Sequence, residues 1–135
     1  MTSVDISRKV INQMIEHARR EHPMECCGLL YGSRELIDGI RLARNQKQSN
    51  REFSVSPKDL LEFFKELRAN GKNHLGVYHS HPSSEPHPSA QDVIEFHYPE
   101  VSYWIISLEK YKPRVRCFHW VEKSFQGVAF NVVEK

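Results

Sequence analysis

Two histidines one residue apart, His79 and His81, constrain this chain more than any other feature. They close an apolar run, His74 to His79, that reads as a β-strand. Residues i and i+2 of a strand project to the same face, so one ion can sit between two such imidazoles. Ten residues separate His81 from Asp92, and Pro82, Pro86 and Pro88 fall among them. A loop of that length can fold back and offer a carboxylate to the same ion. Two His and one Asp make three protein ligands, which leave a position open for water. Structural zinc sites usually have four ligands, so the expected site is a catalytic one that hydrolyses its substrate. The same residues allow a plainer reading, since Ser89-Ala90-Gln91-Asp92 also has the spacing of a helix capping box. The two readings are compatible, because a capping carboxylate keeps a second oxygen.

The rest of the chain is consistent with an α/β fold. With 135 residues it can bury one real core, and one domain over residues 1–135 is expected. Val10, Ile11, Met14, Ile15 and Ala18 form a helical stripe, and Pro23 ends that helix. Glu25 to Gly32 reads as a buried strand. Glu35 to Asn45 reads as a second strand, interrupted near Asp38-Gly39. A polar loop to Arg51 and a short strand over Glu52 to Val55 follow. Ser56 caps a second helix, Pro57 takes its first position, and Asn70-Gly71 closes it. Leu60, Leu61, Phe63, Phe64 and Leu67 form the apolar face of that helix. Ser89 to Phe96 reads as a short helix. Val101 to Leu108 and Arg114 to Val121 read as a strand pair, and Gly127 to Val133 as a last strand. This order predicts a mixed sheet flanked by helices.

Composition excludes several classes. Nineteen basic and 17 acidic residues give a formal charge of +2, with no long basic run, so no nucleic-acid partner is expected. No apolar run approaches the roughly 20 residues of a membrane span, and Met1 to Asp5 lacks the apolar segment of a secretory signal. Three cysteines, two of them adjacent, do not form a disulfide framework. A cytoplasmic protein is the expectation. Cys26 and Cys27 should point to opposite faces of their strand, one into the core and the other near the site. His87, in the loop between the histidines and Asp92, could touch substrate, although exposed loop histidines are usually inert; Cys117 and His119 read as ordinary sheet positions, and Tyr103 and Trp104 as core.

His79-Ser80-His81-Pro82 with Ser89-Ala90-Gln91-Asp92 resembles the metal motif of the JAMM (MPN-plus) metalloproteases. Glu25-Cys26-Cys27-Gly28-Leu29-Leu30-Tyr31-Gly32 is similar to the glutamate-bearing strand of that family. The resemblance runs from the first helix to at least Leu108, and the two motifs together are highly specific. It implies an MPN-type fold, with His79, His81 and Asp92 as ligands of one zinc ion and water as the fourth. It also implies Glu25 as the general base and Ser89 as a donor to the oxyanion. The compact length is most similar to the prokaryotic branch. That branch implies cleavage of a peptide or isopeptide bond after the Gly-Gly tail of a ubiquitin-like or sulfur-carrier protein. A RadC-like protein and a non-catalytic MPN scaffold are the alternatives; the first is disfavoured by the near-neutral charge, the second by the full ligand set. Oligomeric state and the substrate's identity are left open.

Overall fold

The computed structural model describes residues 3–45, 56–89, 98 and 100–135. All but the first residue of the expected loop from Asn45 to Arg51, the strand over 52–55 and all but the first residue of the short helix over 89–96 lie outside these residues. The elements run β1 (Val4–Ser7), α1 (Arg8–Glu21), β2 (Cys27–Gly32), β3 (Leu36–Ile37), β4 (Gly39–Ala43), α2 (Pro57–Asn70), β5 (Asn73–His81), β6 (Ser102–Ser107), β7 (Arg114–Val121), β8 (Ser124–Val128) and β9 (Phe130–Val133). Six strands form one sheet in the order β4-β2-β5-β6-β7-β8. Within it β5 and β6 are parallel and the other neighbours antiparallel. A second sheet, β3-β1-β9, is parallel throughout. The mixed sheet flanked by helices is therefore the architecture of the chain.

Side-chain alternation sorts the two faces of the large sheet. Leu30, Tyr78, Trp104, Ile106 and Cys117 face α1 and form a core with Val10, Met14 and Ala18. Ile6 and Ile37 of the small sheet join that core. Leu29, Val77, Tyr103, Ile105 and Phe118 face the other way and pack against Phe63 and Leu67 of α2. His79 and His81 share the parity of Val77, so both belong to the α2 face.

Local chemistry explains the helix limits. Ser7 caps α1 by accepting from the Lys9 amide, and Ser56 caps α2 by accepting from the Asp59 amide at 3.0 Å. Gly71 closes α2 at φ +63°, a left-handed conformation that costs glycine little. Ser56→Ala should cost about 1 kcal/mol of stability, read as a lower denaturant midpoint at unchanged slope.

Three expectations need correction. The last apolar run is two strands in two sheets, because the chain turns at Ala129 and β9 leaves to pair with β1. The strand β1 was not expected; four residues at the N-terminus carry too little pattern to register. The apolar face of α2 is only partly core: Phe63 and Leu67 are buried, while Leu61 is 57% and Phe64 37% exposed. Fourteen residues on one sheet face have room to bury only the stripe that points at it.

Candidate active site

The site lies where the C-terminal end of β5 meets the start of β2. His81 falls inside the strand together with His79, because β5 extends past the expected end to His81. His79 is fully buried and His81 is 4% exposed. Their Nε2 atoms lie 3.0 Å apart. His81 Nδ1 lies 2.7 Å from the carbonyl of Glu85. A carbonyl only accepts, so Nδ1 of His81 carries the proton and its Nε2 presents a lone pair toward His79. The Tyr103 ring packs against His79 with centroids 5.1 Å apart. Stacked in turn on Phe125 at 4.5 Å, it forms an apolar wall for that imidazole.

Glu25 reaches the site through the β2–β5 ladder. Cys27 pairs with His79. One step earlier the Ser80 amide donates to the Cys26 carbonyl at 3.0 Å, and the Cys26 amide donates to Ser80 Oγ at 2.9 Å. The ladder ends there, because the Cys26 amide goes to the Ser80 hydroxyl, and Glu25, the next residue back, lies at the same end of the sheet as the histidines. Glu25 is 4% exposed. A merely solvated charge at a strand start would sit in water, so burial argues against that reading. Asn45 Nδ2 donates to the Glu25 carbonyl at 3.0 Å and fixes the segment from the other side. A cavity of about 240 Å³ opens beside it, lined by Glu21, Met24, Glu25, Arg44 and Asn45.

Ser89 is exposed at the end of the described part of the Pro-rich loop. Asp92 lies outside the described residues. Among the described residues no group of three or more His, Cys, Asp or Glu is placed to hold a metal. The two imidazoles nonetheless suit one ion. Two nitrogens each about 2.0–2.1 Å from a tetrahedral zinc would be about 3.3 Å apart, close to the separation found. Two buried imidazoles with one lone pair turned inward are donors of the kind that could hold a transition-metal ion.

The cysteines separate as alternation requires. Cys26 packs into the α1-side core, and Cys27 lies across from His79. Burial pushes both thiols up to about 12, so neither is a thiolate near neutral pH. Cys117 is core, and burial lowers the pKa of His119. His87 is exposed, 3.4 Å from Arg116 and 3.7 Å from the Glu85 carboxylate. Sequence reasoning missed Ser80, whose hydroxyl faces away from the histidines and locks the glutamate-bearing segment. Its place between two same-face histidines is a signal that could have revealed it. Asn45 and the Glu85 carbonyl had no comparable signal.

Residues 7–121 match the family model described as prokaryotic homologs of the JAB domain. The chain belongs to this family. A "CysO-cysteine peptidase" of Mycobacterium tuberculosis is 27% identical, covering 96% of this chain and 91% of that one. A "Desampylase" of Haloferax volcanii is 24% identical, covering 96% and 94%. The solution structure of a protein from Desulfitobacterium hafniense superposes with a TM-score of 0.89 at 33% identity, covering 98% and 94%. A structure described as "JAMM: A Metalloprotease-like Zinc Site in the Proteasome and Signalosome" has a TM-score of 0.64 at 24% identity, covering 98% and 100%. At that identity it speaks for the JAB1/MPN fold alone.

Proposed function

We propose that this chain, a JAMM-type peptidase, hydrolyses the peptide or isopeptide bond that follows the Gly-Gly tail of a ubiquitin-like or sulfur-carrier protein. One zinc ion would be held by His79, His81 and Asp92, and residues 1–135 would act as one catalytic domain. The observation that carries this reading is the buried imidazole pair with Glu25 brought to the same end of the sheet. The relatives named CysO-cysteine peptidase and desampylase support a substrate of this kind. When bound, zinc would supply Lewis acidity and lower the pKa of a coordinated water to about 7.

The chain's own residues then have separate tasks. Glu25 takes the proton of the attacking water and later hands it to the departing amine. Its burial keeps bulk water from competing for that proton. Ser89 donates to the developing oxyanion, a contact worth about 2.7–4 kcal/mol where a single donor has been removed elsewhere. His81 keeps its Nε2 lone pair inward through the bond from Nδ1 to the Glu85 carbonyl. The glycine tail enters as an extended strand, which its missing side chains permit in a narrow cleft.

The direct test incubates the purified protein with a β-grasp protein whose Gly-Gly tail is extended by a short peptide. Cleavage after the second glycine is expected, lost with a chelator and restored by added zinc. Cleavage that persists unchanged in the chelator would end the metal reading.

A further inference from the structure

Ser107 lies at the C-terminal end of β6, opposite His81 in the parallel β5–β6 ladder. It is fully buried. Its Oγ donates to the carbonyl of Ser84 at 2.5 Å and accepts from the Glu109 amide at 3.3 Å. Ser84 immediately precedes Glu85, whose carbonyl receives the Nδ1 proton of His81. The Leu108 amide, just past β6, donates to the His81 carbonyl at 3.1 Å, so the chain is held where it leaves β5 as well as at Ser84. Pro82 and Pro86 flank the same turn and are buried.

We infer that Ser107 is a positioning residue that sets the imidazole of His81 for metal binding by holding the 84–85 turn in place. The physical logic is a relay of fixed dipoles. Carbonyl oxygens of a loop are free to rotate unless something on rigid structure anchors them, and a strand end is rigid. With Ser84 anchored, the next carbonyl has one direction, and that direction selects the Nδ1–H tautomer and ring angle of His81. Partners beyond the ligands themselves typically change metal affinity by 10–100-fold when removed. This inference rests on His81 being a ligand, as proposed above.

Ser102 provides a matched control, because it is also buried on β6 and also donates to a carbonyl, that of Leu75 at 2.7 Å, but at the opposite end of the strand. The experiment measures zinc affinity of the full chain by competition with a chromogenic chelator. Ser107→Ala should weaken zinc roughly tenfold, while Ser102→Ala should lose stability and leave affinity unchanged. Ser107→Thr keeps the hydroxyl and should bind zinc more tightly than Ser107→Ala. Nitrogen-15 spectra of the metal-free protein should show His81 as a single tautomer in wild type and as a mixture in Ser107→Ala. Equal zinc affinity of wild type and Ser107→Ala overturns the inference alone. A loss of affinity in Ser102→Ala as large as that in Ser107→Ala also overturns it, since the effect would then be general destabilisation. If wild type itself binds no zinc, the metal reading and this inference fail together.

Discussion

Glu25→Gln is expected to lower turnover by about 10²–10⁴ while the protein keeps its zinc. The substitution preserves shape and size, and removes the negative charge and with it the capacity to take a proton. Glu25 belongs to the segment before β2, whereas the imidazoles belong to β5, so the proposed ligand set is untouched. The backbone around position 25 is held by Asn45 on one side and by the Cys26–Ser80 bonds on the other. The variant should therefore fold as the wild type does. Metal content by elemental analysis and single-turnover cleavage of the Gly-Gly fusion check the two halves of this expectation. Undiminished turnover would remove Glu25 from the chemistry, and loss of zinc would make it a ligand instead of a base.

Trp104→Ala should cost about 3–5 kcal/mol. Trp104 is fully buried, and its Nε1 donates to Ser102 Oγ at 2.8 Å. Its ring meets Phe130 of β9 edge-on with centroids 5.0 Å apart. It thus joins the centre of the large sheet to the small one, and truncation leaves a void that neither rigid layer can fill. Native domains are stable by only about 5–15 kcal/mol, so the loss is a large share of the total. Thermal melting and a denaturant series would show it. A change below about 1 kcal/mol would mean that the two sheets are held together elsewhere.

The core strands and helices were legible because each carries a period and a boundary. The caps at Ser56 and Gly71 each came from one residue with one physical reason, and both stand in the structure. The division of Gly127 to Val133 between two sheets was not legible. Both halves have the same β-branched character, and what separates them is the partner each finds, β7 for one and β1 for the other. The exposure of Leu61 and Phe64 was hidden for a related reason. A pattern says which residues share a helix face but not how much of that face a sheet can cover.

The chain's residue order settled by local rules that His79 and His81 face one way, that Ser80 faces the other, and that Cys26 and Cys27 part company. Alternation along a strand is a property of the backbone and needs no partner. Only tertiary structure decided that Glu25 comes to the same end of the sheet as His81, through an antiparallel register between strands more than 50 residues apart. The same holds for the Glu85 carbonyl that orients His81 and for Ser107 behind it. Such pairings depend on which strands become neighbours, and that outcome belongs to the packing of the whole chain.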